Sequence, residues 1–181
     1  MRTVTYGAAC SLDGYIADRD GGLDWLHFSN DVQKIMGEYW KTVDTVLMGR
    51  KTWEFAAAQG ENGGGTMGNI KTYIFSRTLE TIDRPGVEVV KSDAGEFVKR
   101  LKREKGKGIC VMGGGELAGS LLAAGVVDEV GMNMHPVLLG SGIPLFGNPG
   151  RRVPLTLKEC RTLSGGCVYA IYRVKPLARA D

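Results

Sequence analysis

The chain has 181 residues, of which 43% are hydrophobic and 24% are charged; these values are typical of a globular domain, and we expect one domain over residues 1–181. The net charge of +3 is too small to indicate nucleic-acid binding, and without a secretory signal or a run of about 18 apolar residues we expect a cytoplasmic protein with no membrane span. Two histidines and four cysteines without C-x-x-C spacing favour reduced thiols and no metal site.

Short β-rich apolar runs alternate with segments of helical periodicity along the chain. The predicted strands cover residues 3–10, 45–48, 72–75, 87–90, 109–112 and 128–134. Helices are predicted after the N-cap cluster Ser29–Asp31, over 51–58, after the cap Asp93, and over 116–124. A glycine-rich loop is expected at 59–69. This order predicts an α/β fold of three layers, in which helices cover both faces of a mostly parallel sheet.

A closing hairpin is predicted from residues 155–163 and 167–174, turning at Gly165 and Gly166. A two-residue turn there places Cys167 opposite Ser164, so Cys160 and Cys167 are not expected to form a disulfide. The hairpin adds antiparallel strands to one edge of the sheet. Together with strand 128–134 it is expected to present an apolar edge that needs covering.

Three short motifs stand at the ends of predicted strands. Gly49–Thr52 opens a helix with a glycine, two cations and a hydroxyl, and Ser76–Arg77 pairs a hydroxyl with a guanidinium. Met112–Leu117 contains three consecutive glycines before a helix. Free backbone N–H groups at such turns favour phosphate binding, although each motif alone is also compatible with an ordinary turn or helix start. Together they favour a single ligand that carries several phosphates, such as a dinucleotide.

Asp31 is the strongest candidate for acid–base chemistry. It lies in the first turn of a helix, after Trp25 and a loop. A carboxylate there could bind a polar heterocycle and relay protons. The alternative is an acid placed at a helix start because the dipole favours it, and the pattern alone favours this alternative.

Five stretches, in this order, resemble the dihydrofolate-reductase-like superfamily. The similarity is greatest to stand-alone relatives of the C-terminal reductase domain of the riboflavin-biosynthesis deaminase–reductase. The stretches are SLDGYIA at 11–17, VLMGRKTWE at 46–54, IFSR at 74–77, VMGGGEL at 111–117 and HPVLLGSGIPLF at 135–146.

The resemblance implies NADPH as the cofactor and a role for each motif. The backbones of Ala9 and Ile16 would meet the nicotinamide carboxamide, and Ser76 and Arg77 would take the 2′-phosphate. The remaining residues implied in phosphate, pyrophosphate and nicotinamide binding are Gly49, Arg50, Lys51, Thr52, Met112, Gly113, Gly114, Gly115, Glu116 and Leu117. By position, Asp31 would be catalytic, and Trp25 and Asn133 would contact the substrate.

The resemblance also implies an NADPH-dependent reductase that transfers hydride to a polar heterocycle, either pterin-like or a ribosylaminopyrimidine. One alternative is a 5-amino-6-(5-phosphoribosylamino)uracil reductase of riboflavin biosynthesis. An alternative of another class is a non-catalytic nucleotide-binding protein. The expected partners are a small-molecule substrate and a second copy of the chain in a homodimer.

Overall fold

The computed structural model describes residues 1–58 and 70–176, so the predicted loop at 59–69 lies outside the described residues. The strands of the described part are β1 Val4–Ser11, β2 Tyr15–Ala17, β3 Val43–Gly49, β4 Lys71–Phe75, β5 Val87–Val90, β6 Gly108–Met112, β7 Glu129–His135, β8 Ile143–Pro144, β9 Leu155–Thr162 and β10 Val168–Val174. The helices are α1 Asn30–Trp40, α2 Arg50–Ala58, α3 Ala94–Leu101 and α4 Gly115–Ala123.

Eight strands form one sheet in the order β5-β4-β3-β6-β1-β7-β10-β9. The first six are mutually parallel, and β10 runs antiparallel to both β7 and β9. The prediction of a mostly parallel α/β sheet with a closing antiparallel hairpin is confirmed. Because the order is not sequential, β1 lies inside the sheet, between β6 and β7.

Local capping explains where the helices begin and end. The Ser29 hydroxyl accepts from Val32 N at 3.3 Å and starts α1, and Asp93 accepts from Glu96 N at 2.9 Å and starts α3, as these residue types do at N-caps. At the C-terminal end of α4, the Arg151 guanidinium donates to the carbonyls of Leu122 and Ala123. A cation there complements the negative end of the helix dipole.

One face of the sheet carries the main core. Alternate residues of β1 and β6 point to this face and pack under α3 and α4. Val4, Tyr6, Ile109 and Val111 of these strands, and Leu121 of α4, are each at 0% exposure. Tyr6 also donates its hydroxyl to the Leu145 carbonyl, which ties the segment after β8 to this core.

The opposite face is packed over only part of its width. A smaller buried cluster, which includes Val46, Met48, Trp53 and Ile74, joins β3, β4 and β6 to α2. Tyr39 and Trp40 of α1 pack against its margin. The outward residues of β1, β7 and β10 continue this face beyond the cluster, into the region described below.

Three local features differ from the sequence predictions. Strands β2 and β8 form a small antiparallel sheet that the sequence did not reveal, because two- and three-residue strands carry no periodicity. The hairpin turn spans three residues, Ser164–Gly166, so Leu163 rather than Ser164 opposes Cys167 and donates to its carbonyl at 2.8 Å. Strand β7 is internal, so only β9 forms the free edge on that side.

All four cysteines are free, and Cys160 faces Ala170 across the hairpin. In residues 1–58 and 70–176, no helix is long and apolar enough to cross a membrane.

Candidate active site

The three motifs come together along one edge of the sheet. Strands β4, β3, β6 and β1 are neighbours in that order. Ser76 follows β4, Gly49 ends β3, Gly113 follows β6, and Ala9 lies near the end of β1. Carboxyl ends of parallel strands share one edge, and three inter-strand spacings span about 14 Å. An extended dinucleotide can bridge such a span.

The turns after β3 and β6 touch each other. Gly113 and Gly114 have φ of 67° and 82°, a conformation that only glycine adopts freely. A Cβ on Gly113 would lie 2.9 Å from Thr52 Cγ2, and one on Gly114 would lie 3.3 Å from Thr52 Oγ1. Among the described residues, no side chain caps the start of α4, which leaves its first N–H groups available to an anion.

Gly115, the third consecutive glycine, allows two backbone segments to pack closely. A Cβ on Gly115 would lie 2.6 Å from the Pro144 carbonyl oxygen, and one on Gly119 would lie 2.9 Å from the Gly147 carbonyl carbon. Gly147 N also donates to Gly115 O at 2.7 Å. These glycines let the segment after β8 pack directly on α4, and the sequence motif alone did not distinguish this packing role from ligand approach.

Positive charge borders the same turns. Arg50 forms an exposed ion pair with Glu54 at 2.7 Å. Within residues 1–58 and 70–176, neither Lys51 nor Arg77 forms an ion pair, and both are exposed. The Ser76 oxygen accepts from Thr78 N and Leu79 N at 3.2 and 3.0 Å. It also lies 3.4 Å from Thr78 Oγ1, and either hydroxyl can be the donor in that contact.

These residues line a continuous cleft of about 2250 Å³. This volume includes a part that reaches the opposite edge of the sheet, at Met1, Arg2 and Lys107, so the space beside the three motifs is smaller. All the residues predicted for the cofactor line it: Ala9, Ile16, Gly49, Arg50, Lys51, Thr52, Ser76, Arg77, Met112, Gly113, Gly114, Gly115, Glu116 and Leu117. Asn133, predicted for the substrate, lines it too.

Beyond Ala9 the cleft runs between α1 and the open face of the sheet. Strand register places Ala9, Asn133 and Tyr169 in one row across β1, β7 and β10. Gly7 and Gly131 head the adjacent row, and a Cβ on Gly7 would meet nothing within 4 Å. Apolar residues of α1 line the opposite wall. The resulting slot has polar groups on the sheet and apolar walls, the usual character of a ligand site.

Asp31 and Trp25 lie outside the cleft lining. The Asp31 carboxylate accepts from both the backbone N and the hydroxyl of Ser164, on the closing hairpin. These hydrogen bonds lower the pKa of Asp31 below its ordinary value, and the bond from the Ser164 hydroxyl has the largest effect. The catalytic role of Asp31 stays a prediction; its contacts favour the alternative of a helix-start acid.

Trp25 instead packs edge-on against His135, with ring centroids 5.4 Å apart. His135 is buried, lines the cleft, and has a pKa lowered by burial and by His27. His135 is not among the residues predicted for the site. A usable signal was present: Asn133 and His135 are two residues apart on a strand and therefore share a face.

Among the described residues, no group of three or more His, Cys, Asp or Glu side chains could hold a metal ion. The cleft lining carries backbone amides, hydroxyls, the Asn133 amide and cations, together with the His135 imidazole and the carboxylates of Asp24, Asp93, Glu116 and Glu129. The amides, hydroxyls and cations beside the three motifs suit an anionic, hydrogen-bonding organic ligand.

Comparison with known proteins gives the same fold and a family. The model of the RibD C-terminal domain matches residues 2–169. The uncharacterized protein YyaP of Bacillus subtilis strain 168 is 32% identical in an alignment 181 residues long, which covers 95% of this chain and 95% of YyaP.

Two solved structures are similar over nearly their whole length. A putative riboflavin biosynthesis protein from Shewanella sp. PV-4 matches with a TM-score of 0.84 and 26% identity, over 96% of this chain and 99% of that one. Dihydrofolate reductase from Enterococcus faecalis, complexed with NADP(H) and RAB-propyl, matches with a TM-score of 0.65 and 19% identity, over 95% and 96%. The dihydrofolate-reductase-like fold predicted from the sequence is confirmed.

Proposed function

The chain belongs to the family of RibD C-terminal domains, and from this premise we propose that it is a reductase that uses NADPH to reduce a polar heterocyclic small molecule. Its fold is shared with a dihydrofolate reductase complexed with NADP(H). The observation that carries the proposal is that three turns with groups suited to an anion follow three adjacent strands, β4, β3 and β6, and line one cleft.

The cofactor fits the residues present. The Gly113–Gly114 turn leaves backbone free of side chains where a pyrophosphate would pass, with Thr52 beside it. Arg77 offers a guanidinium and Ser76 a hydroxyl, which together suit a 2′-phosphate. Bound there, NADPH would supply the hydride.

The chain's own residues would position the reactants and exclude water. In the proposed arrangement, the backbones of Ala9 and Ile16 orient the nicotinamide carboxamide at the middle of the sheet. The row of Ala9, Asn133 and Tyr169 lies beside that point and orients the substrate ring. Apolar residues of α1 cover the slot, which strengthens hydrogen bonds within it.

Two substrate classes are compatible with this slot, a pterin-like ring and a ribosylaminopyrimidine. Membership in the family favours the second class, and the shared dihydrofolate-reductase fold favours the first. Turnover of each class by the purified protein with NADPH, followed at 340 nm, separates them. Saturable NADPH binding with no turnover of either class would favour a non-catalytic nucleotide-binding protein.

Cofactor binding is testable without a substrate. Calorimetry should detect NADPH binding with a dissociation constant in the micromolar range or below. Ligand at about 100 times that constant should stabilise the fold by about 2.7 kcal/mol, which a thermal melt resolves. An unchanged melt together with no heat at millimolar NADPH would overturn the proposal.

Arg77→Ala should separate NADPH from NADH. The two cofactors differ by the 2′-phosphate, so the variant should bind NADPH about tenfold more weakly and NADH unchanged, because one charge-assisted contact is lost. We choose Arg77 rather than Ser76, because the Ser76 oxygen also accepts two backbone hydrogen bonds within its own turn and its removal would disturb that turn. Lys91→Ala is a matched control, since Lys91 lines the cleft but pairs with Glu80 at 2.6 Å. An equal loss for both cofactors in Arg77→Ala would place the 2′-phosphate elsewhere.

We also propose a homodimer that covers strand β9. This strand forms the free edge of the sheet, and Leu155 and Leu157 are 39% and 52% exposed on it. Exposed strand edges with apolar side chains favour pairing with another chain. Light scattering should give twice the 19.5 kDa chain mass, and Leu157→Glu should shift the mass towards one chain. A wild-type mass near 19.5 kDa would contradict the dimer.

A further inference from the structure

The floor of the cleft carries no side chain at two neighbouring positions. Gly7 of β1 and Gly131 of β7 are paired in register, and both line the cleft. An added Cβ on Gly7 would meet nothing within 4 Å, and one on Gly131 would meet only Thr5 Cγ2, at 3.9 Å. Neither glycine has a positive φ. Neither close packing nor backbone conformation therefore requires glycine here, and glycines inside strands often mark the close approach of a ligand.

The first two turns of α1 present apolar side chains to the same cleft. Val32, Ile35 and Met36 recur at the spacing of one helix face, and all three line the cleft. Neither of the two buried clusters of the described residues includes them, although Val32 is only 4% exposed. The apolar face of α1 therefore covers space in the cleft rather than a protein core.

Helix α1 crosses above the two glycines because its ends are attached to distant parts of the sheet. Near its N-terminus, Asp31 accepts from Ser164, in the turn between β9 and β10. Near its C-terminus, Tyr39 and Trp40 pack against the cluster of β3, β4 and β6. Strands β1 and β7 lie between these attachments in the sheet. The space between α1 and the glycines is thus a slot with an apolar roof and a flat floor.

A carboxylate borders the far end of this slot. Glu129 lines the cleft and is in register with Thr5, two residues before the glycines on both strands. Glu129 Oε1 lies 2.6 Å from Lys158 Nζ and 4.0 Å from Arg173 Nε. With these partners the carboxylate does not need a cationic ligand, and its charge disfavours a phosphate beside it. The slot therefore suits a flat, uncharged and apolar group.

We propose that Gly7 and Gly131 form a subsite for an additional aromatic ring, and that the substrate is a flat, uncharged fused-ring heterocycle longer than a two-ring pterin. One end of the ring system lies on the row of Asn133, and the other lies on the glycines, under α1. Neighbouring rows on one face of a strand are about 6.6 Å apart, which leaves room for one more ring. The placement of the substrate rests on the proposed function, but the ring subsite does not.

Lumazine and alloxazine are matched probes of the subsite, because alloxazine is lumazine with one fused benzene ring. Both are titrated by fluorescence against the wild-type protein, in their uncharged forms and without NADPH. Alloxazine should bind at least about tenfold more tightly, because its extra ring is buried between α1 and the glycines. Alloxazine binding that is no tighter than lumazine binding would overturn the proposal.

Two valine variants locate the extra ring. Gly7→Val and Gly131→Val each fill the floor, so alloxazine should then bind within about twofold of lumazine, and lumazine itself should change by less than about twofold. Gly37→Val is the matched control: Gly37 lies on α1 outside the cleft lining, and a Cβ there would also meet nothing within 4 Å. A folded Gly7→Val or Gly131→Val variant that keeps the wild-type preference for alloxazine would contradict the assignment.

Thermal melts show whether each variant folds. Gly7→Ala repeats the test with the smallest added group, and it should lower the preference for alloxazine because its methyl group takes part of the same space. NADPH binding and oxidation are measured separately. If alloxazine is preferred but NADPH does not bind, the proposed function fails and the ring subsite stands. If NADPH binds and alloxazine is not preferred, the subsite alone fails.

Discussion

The two faces of the sheet use the same strands for different purposes. Under α3 and α4, Val4 and Tyr6 of β1 are fully buried in a core that has sixteen buried residues among those described. On the other face, Gly7 and Ala9 of the same strand line the cleft, and the buried cluster of the described residues has six members. A β-strand alternates its side chains between faces, so one strand can stabilise the fold with half of its residues and line the cleft with the rest.

Strand β7 repeats the division. Val130 is 1% exposed in the core, whereas Gly131, Asn133 and His135 face the cleft. The two faces differ because the helices cover one face and leave part of the other uncovered, and the space for a ligand lies over this uncovered part. Substitutions on the covered face should change stability, and substitutions on the open face should change binding.

The largest expected effect tests the covered face. Leu121→Ala in α4 removes a fully buried side chain from the core and should destabilise the protein by roughly 2–5 kcal/mol, because a cavity remains. Met36→Ala in α1 removes a similar volume at a side chain that is 41% exposed; it should cost less than about 1 kcal/mol. Urea unfolding measures both, and equal losses would remove the distinction between the faces.

Two glycines provide an intermediate effect. Gly115→Ala would place a Cβ 2.6 Å from Pro144 O and should destabilise by roughly 1–3 kcal/mol, because backbone must shift. Gly7→Ala meets nothing within 4 Å and should be neutral, or stabilising by up to about 1 kcal/mol, since alanine restricts the unfolded chain. Unfolding midpoints compare the two. If Gly115→Ala keeps the wild-type unfolding midpoint, the segment after β8 is loosely packed on α4.

The smallest expected effect on stability concerns Asp31, at the margin of the open face. Its hydrogen bonds to Ser164 lower its pKa below the ordinary carboxyl value of 3.8. They therefore stabilise the fold above pH 3.8, and this contribution is lost as the pH falls through the lowered pKa. Asp31→Asn should therefore be slightly less stable than wild type at pH 7, and the difference should disappear in acid. Unfolding curves at several pH values measure this difference.

The same variant also tests the catalytic prediction for Asp31. If the carboxylate takes part in proton transfer, Asp31→Asn should lower turnover by roughly 10²–10⁴-fold. Its position outside the cleft lining and its bonds to Ser164 favour unchanged turnover. Ser164→Ala is the matched control, because it weakens the structural bond and leaves the carboxylate in place.

Local signals in the sequence predicted most elements and the composition of the site. Apolar periodicity located the main strands and helices, since it depends on which residues of one segment face the core. The predicted N-cap cluster Ser29–Asp31 contains the actual cap, Ser29, and the predicted cap Asp93 is confirmed, because capping involves neighbours within a few residues. The glycine turns and the cations beside them were also visible, because each lies within one short segment.

The sequence by itself determined the alternation of strands and helices, the family, and the residues that border the cleft. The tertiary structure alone decided the strand order, which puts β1 in the middle of the sheet and aligns four strand ends. It also decided which residues serve which purpose: Gly115 packs against Pro144, Asp31 binds Ser164 at a separation of 133 residues, and His135 joins His27, Asn133 and Cys167. The physical reason is that periodicity and capping depend on near neighbours, whereas the partner of a buried polar group is set by the packing of distant segments.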